Sequence, residues 1–204
     1  MRIKCCGMTR TADIAQAVSL GVDAIGLIFY EQSSRYVTLS EARRLLQGLP
    51  AFLDVVAVLV NPSLAFVREI YASLPIQYMQ FHGQETPDFC EQCDVPYLKA
   101  ISATSTDVIT EAATAYTHAS ALLLDTPSAK GFGGTGDTFD WQVIPSRCAK
   151  PLILAGGLDV SNVGRAITHS GIYAVDVCSG IESSPGMKDH QKMTQFVNTI
   201  WGKK

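Results

Sequence analysis

The sequence predicts a single-domain (β/α)8 barrel (TIM barrel) of the α/β class, occupying residues 1–204, and three observations lead there. Apolar runs of strand length recur about every 25 residues. Segments of helical period lie between them. Eight such strand-helix units in 204 residues match the lower size limit of a barrel, whereas a doubly wound sheet of this length uses fewer strands.

In chain order the strand-like runs are Ile3 to Cys6, Ala24 to Tyr30, Val55 to Val60, Tyr78 to His82, Tyr97 to Ile101, Ala121 to Leu124, Leu152 to Ala155 and Ala174 to Cys178. Between them, Leu64, Val67, Ile70, Tyr71 and Leu74 repeat at helical spacing. So do Val108, Ile109, Ala112, Ala113 and Tyr116, and later Met193, Phe196, Val197, Ile200 and Trp201. Asn61-Pro62-Ser63 and Thr86-Pro87 supply a capping side chain and a first-turn proline for the third and fourth helices. Ser40 and Ser161 are the expected starts of the second and seventh. The sixth unit is the weakest, because Trp141 to Ser146 is short and contains Pro145.

Composition narrows the function. The chain is 47% apolar and 17% charged, with net charge -3 and no basic tract to neutralise a polynucleotide, so nucleic acid is not an expected partner. No segment approaches the ~18 apolar residues of a membrane span, and the N-terminus shows no secretory signal core. A cytoplasmic protein with reduced thiols is expected from its six cysteines. Cys90-Glu91-Gln92-Cys93 has redox or half-zinc spacing, but no second pair completes a metal site, so helix packing is its expected role and no metal is expected.

In a barrel the chemistry gathers where the strands end. Asp125 closes the run Ala121-Leu122-Leu123-Leu124, on the face shared with Leu123 and Ala121, and adjoins the glycine-dense stretch 126–137, which reads as an active-site lid. Capping of a following element is its plainer alternative. Gly156 and Gly157 after strand seven, with Ser179 and Gly180 after strand eight, are placed to hold a phosphate on backbone N–H groups, and Gly133 and Gly134 could add donors from the lid. The pattern Gly131-Phe132-Gly133-Gly134-Thr135-Gly136 is no dinucleotide fingerprint, since it neither follows its strand directly nor opens a helix. Arg35 reads either as a solvated surface residue or as the receptor of a substrate carboxylate. His82 reads as a hydrogen-bonded structural histidine. Strand alternation puts Lys4 with Cys6 on the inward face and Ile3 with Cys5 on the outward one. Lys4 and Asp176 then both face the barrel interior, where they could pair.

These residues form a recognisable series: Lys4-Cys5-Cys6-Gly7-Met8-Thr9, Ser34-Arg35-Tyr36, Gln80-Phe81-His82-Gly83, Leu123-Leu124-Asp125, Gly133-Gly134-Thr135-Gly136 with Phe139-Asp140-Trp141, Ala155-Gly156-Gly157-Leu158, and Asp176-Val177-Cys178-Ser179-Gly180-Ile181-Glu182 with Gly186-Met187-Lys188-Asp189. From end to end the chain resembles the phosphoribosylanthranilate isomerase family of tryptophan biosynthesis. Cys5, Phe81 and Cys178 depart from the family's usual branched aliphatic, leucine and serine.

The resemblance implies an Amadori rearrangement of N-(5-phosphoribosyl)anthranilate to an aminoketose. Asp125 would be general acid to the ring oxygen, and Cys6 general base to the second sugar carbon. Arg35 would hold the anthranilate carboxylate and the glycines of strands seven and eight the phosphate, with Asp176 among the substrate-binding residues. No cofactor is implied, and the assembly is expected to be a monomer or homodimer. Reference values of ~3.9 for Asp and ~8.5 for Cys favour the opposite protonation states, so the site must correct both. Lid closure over Asp125, and the N-terminus of the helix after Cys6, are the expected means. A histidine-pathway isomerase and a non-catalytic phosphate-sugar sensor are the alternatives. The first would show paired aspartates on two half-barrels, and the second would have no use for an acid and a base at separate strand ends.

Overall fold

The structure, a computed structural model, describes residues 1–126 and 138–202. Eight parallel strands pair in sequence order and close into a barrel: β1 (Arg2–Cys5), β2 (Ala24–Ile28), β3 (Asp54–Leu59), β4 (Tyr78–Phe81), β5 (Tyr97–Ser102), β6 (Ala121–Asp125), β7 (Leu152–Leu154) and β8 (Ile172–Val177). The connecting helices are α1 (Thr11–Leu20), α2 (Leu39–Leu45), α3 (Leu64–Ser73), α4 (Pro87–Gln92), α5 (Thr106–Ala115) and α6 (Val163–Ala166), and α7 (His190–Trp201) ends the series. A two-stranded antiparallel hairpin, β9 (Glu182–Ser184) with β10 (Met187–Lys188), lies between β8 and α7.

Alternation along the strands builds two separate apolar layers. Val56, Leu98, Ala100, Ala121, Leu123, Ile153, Ala155 and Ala174 fill the barrel interior. Ile3, Cys5, Ile25, Leu27, Val55, Ala57, Leu122 and Leu124 belong to the other layer, against helix residues such as Ile14, Val67, Ile70, Ile109 and Phe196. The first strand therefore has the expected register. Cys5 packs outward with Ile3, while Lys4 turns inward and meets Asp176 at 2.9 Å.

Capping explains both the helix starts that follow the sequence expectation and those that do not. Ser63 and Thr86 accept from the N–H groups of Phe66 and Phe89, as expected. The second helix is capped two residues earlier than Ser40, by Thr38. Thr38 and Glu41 form a reciprocal capping box, in which two backbone donors are satisfied instead of one. The seventh start is also displaced. Asp159 Oδ1 accepts from the N–H groups of Ser161 and Asn162, and α6 opens only after that turn. The sixth unit has a three-residue 3-10 turn at Trp141–Val143 in place of a helix. Trp141 closes the gap: its ring lies edge-on to His169 and beneath the Arg165 guanidinium.

Candidate active site

The carboxyl ends of the strands surround a cavity of about 800 Å³, mouth included, a size suited to a small organic ligand. Cys6, Arg35, Asp125, Gly156, Gly157, Asp176 and Ser179 all line it, so residues from five separate stretches of chain converge as the sequence predicts. Gly180 stands behind this wall. Gly133, Gly134 and the expected lid lie outside the described residues.

Asp125 ends β6 with its side chain 15% exposed, and its two oxygens have different neighbours. Oδ1 accepts from the N–H of Thr126 at 2.8 Å, and Oδ2 lies 3.0 Å from His82 Nε2. On its other side His82 Nδ1 lies 2.8 Å from Gln80 Nε2, so the imidazole is held between Gln80 and Asp125. His82 is hydrogen-bonded, as expected, but it is also part of the cavity wall and the partner of the candidate acid. Its loop is pinned from behind by Lys99, whose Nζ donates to Phe81 O, Gly83 O and Glu85 Oε2.

Arg35 is no solvated surface residue: its side chain is 14% exposed. Glu182 takes Nε at 2.8 Å and Nη2 at 2.6 Å in a two-pronged pair, while Nη1 makes only a long contact, 3.5 Å, with Ser34 Oγ among the hydrogen bonds of the described residues. Burial works against the Glu182 charge, but hydrogen bonds from Arg35 and Lys188 outweigh it and hold the carboxyl below its usual range. Lys188, on β10, donates to Glu182 Oε1 at 2.8 Å. Nothing in local spacing announces this group, since Arg35 and Glu182 are 147 residues apart. The only trace in the sequence is a pair of opposite charges, Glu182 and Lys188, that follows Gly180.

Asp176 reaches the cavity, though its Oδ1 is engaged by Lys4. Burial opposes the Lys4 charge, while Asp176 and Cys6 more than offset it, so Lys4 stays protonated.

The phosphate candidates form a turn and a close approach. Gly156 and Gly157 take φ of +76° and +63°, a conformation that side chains with a Cβ rarely adopt. At Gly180 the chain runs directly against Leu158 O and Asp159, and Asp159 bridges to Gly180, so the loops after β7 and β8 are joined. The four-residue α6 follows the first of these loops and the β9–β10 hairpin the second.

The largest departure from expectation concerns the thiols. The helix that follows Cys6, α1, begins at Thr11, and the Cys6 thiol is raised rather than lowered. A hydrogen bond to Cys178, then burial, hold the Cys6 thiol well above its ordinary range, whereas the same bond with Lys188 and Arg35 brings Cys178 down to about 7. Cys5 is pushed up to about 12 by burial. Cys90 and Cys93 are buried on and just after α4, where Cys93 Sγ donates to Phe89 O, consistent with packing.

Residues 3–199 match the family model for N-(5'phosphoribosyl)anthranilate (PRA) isomerase. The chain belongs to this family. A phosphoribosylanthranilate isomerase of Legionella pneumophila is 55% identical over 99% of this chain and 98% of its own length. The phosphoribosyl anthranilate isomerase of Thermotoga maritima superposes with a TM-score of 0.91 at 34% identity, over 99% of both chains. Another isomerase structure of the family, in complex with reduced 1-(o-carboxyphenylamino)-1-deoxyribulose 5-phosphate, gives 0.87 at 32% identity, again over 99% of both chains. Among the described residues, no helix is long and apolar enough to cross a membrane, and no group of His, Cys, Asp and Glu is arranged to hold a metal ion.

Proposed function

We propose that this chain catalyses the Amadori rearrangement of N-(5-phosphoribosyl)anthranilate to 1-(2-carboxyphenylamino)-1-deoxyribulose 5-phosphate, a step of tryptophan biosynthesis. The observation that carries this reading is the placement of Cys6, at the end of β1, and Asp125, at the end of β6, on the walls of one cavity. An aldose-to-ketose isomerisation needs a proton given at one atom and taken at another, and this arrangement offers both.

Asp125 gives a proton to the furanose oxygen, which opens the ring and leaves a Schiff base. Cys6, as thiolate, removes the proton from the second sugar carbon, and the resulting enolamine tautomerises to the ketone. His82 steadies Asp125 through the Nε2 hydrogen bond. The Nη1 edge of Arg35, held otherwise only by the long contact to Ser34 Oγ, receives the anthranilate carboxylate, with Glu182 fixing the plane of the guanidinium. The backbone at Gly156–Gly157 and Ser179–Gly180 holds the phosphate. The chemistry uses only these side chains.

Incubating the protein with freshly prepared phosphoribosylanthranilate should abolish the substrate's fluorescence at a rate proportional to protein concentration. Persistence of the fluorescence at its uncatalysed rate of decay would end this assignment.

Two binding predictions follow from the same geometry. Inorganic phosphate or sulfate should occupy the crevice between Gly156–Gly157 and Ser179–Gly180 and inhibit competitively. Inhibition independent of substrate concentration, or a sulfate-soaked crystal with no ion there, counts against the phosphate assignment. Arg35→Ala should raise KM roughly 10- to 100-fold, the worth of a hydrogen-bonded charge pair, with a smaller change in kcat, because the carboxylate contact persists from ground state to transition state. A loss confined to kcat contradicts that role.

A further inference from the structure

We propose that Cys6 and Cys178 act as one base that shares a single proton, with Cys178 holding the thiolate until Cys6 needs it. The inference rests on the isomerase reading above and adds to it a proton partner for Cys6.

The two thiols are neighbours across the seam between β1 and β8. Cys5 and Val177 are register partners, and the N–H of Cys6 donates to Val177 O at 2.8 Å, so Cys6 and Cys178 are the next residues along adjacent strands. Both line the cavity, on the inward face of their strands. The fold keeps space for each. A Cβ at Gly26 would stand 2.7 Å from Cys6 Sγ, and a Cβ at Gly7 would stand 2.9 Å from Cys178 Sγ and 2.7 Å from Arg35 Cδ.

The charges around the pair set how many protons it carries. Lys188 Nζ lies 3.8 Å from Cys178 Sγ and 3.0 Å from Cys178 O, on a side chain that is 0% exposed. Arg35 approaches from the β2 side, and Glu182 on β9 accepts from both cations. Two cations and one carboxylate leave a single positive charge facing Cys178. Beneath Cys6, Lys4 and Asp176 neutralise one another. One thiolate balances this cluster, and a second would be buried without a counter-charge.

The step then closes in protons. At rest Cys6 S–H donates to the Cys178 thiolate. As the Schiff base forms, the Cys6 proton passes to Cys178, and the Cys6 thiolate takes the proton from the second sugar carbon. Both thiols are now protonated, whereas Asp125 has given its proton to the ring oxygen. Return of one proton from the thiol pair through solvent to Asp125 restores the enzyme. A serine at position 178 cannot hold the negative charge at neutral pH.

The test compares wild type, Cys178→Ser and Cys178→Ala by two readouts: thiolate ultraviolet absorbance against pH, and kcat/KM against pH with phosphoribosylanthranilate. In the wild type one thiolate should appear near neutrality, and kcat/KM should rise with pH through the same range, because the singly deprotonated pair is the active form. In both variants the titration and the rising limb should move up together by at least about one unit. Activity at neutral pH should then fall roughly tenfold and recover at alkaline pH. Superimposable wild-type and variant profiles, or a loss equal at every pH, overturn the proposal. A wild type that never turns over the substrate defeats the isomerase reading instead, and the absorbance titration then decides by itself whether the thiols share a proton.

Discussion

Asp125→Asn is expected to lower kcat by about a thousandfold while leaving KM within a few-fold of wild type. The amide cannot deliver a proton to the ring oxygen. Its carbonyl oxygen can still accept from His82 Nε2 or from the Thr126 N–H, the two contacts that hold the carboxylate in place. The substitution thus separates proton delivery from positioning. Steady-state kinetics with phosphoribosylanthranilate would check it, and a variant retaining a tenth of the wild-type kcat would remove Asp125 from the role of acid.

The adjacent cysteines supply the second large effect together with its control. Cys6→Ala should abolish proton abstraction, a loss of about a thousandfold or more in kcat/KM, without unfolding the protein. Its side chain borders the cavity and supports no helix. Cys5→Val should be nearly neutral in kcat/KM. Cys5 is 1% exposed in the layer beneath the helices, and valine is of similar size, so the cost in stability should stay below about 1.5 kcal/mol. Alkylation should distinguish the two thiols in the same order, with Cys6 protected by a substrate analogue and Cys5 slow because it is buried. An inactive Cys5→Val beside an active Cys6→Ala would show that the two faces of β1 had been exchanged.

Much of this arrangement is legible in the residues because it depends on periods of two and 3.6. Alternation along Ile3-Lys4-Cys5-Cys6 is enough to turn Lys4 inward and Cys5 outward, and the buried strand before Asp125 is enough to bring that carboxylate to the barrel mouth. The helix starts show where local reading fails. Thr38 and Ser40 are both plausible caps, and the choice falls to Thr38 because Glu41 stands three residues after it. At the seventh start, the Asp159 turn takes the local donors before the helix can use them. The ion cluster of Arg35, Glu182 and Lys188 was least accessible, because its partners meet only once β8 has closed the barrel. For the same reason, nothing in local spacing relates Cys6 to Cys178, 172 positions further along the chain (178 − 6).

Lys4 and Asp176 are register partners as well as an ion pair, and they sit where the first strand meets the last. A slip of two residues, the smallest that keeps Lys4 facing inward, would set it opposite Ala174 or Cys178 and separate it from Asp176, leaving that buried carboxylate without its cation. Losing one partner of a buried pair costs about 3–5 kcal/mol, comparable with much of a domain's net stability. The pair therefore works as a key for ring closure: the two ends of the chain join in one alignment only. That alignment is also the one that brings Cys6 beside Cys178, so a barrel closed out of step would lose its base as well as its stability.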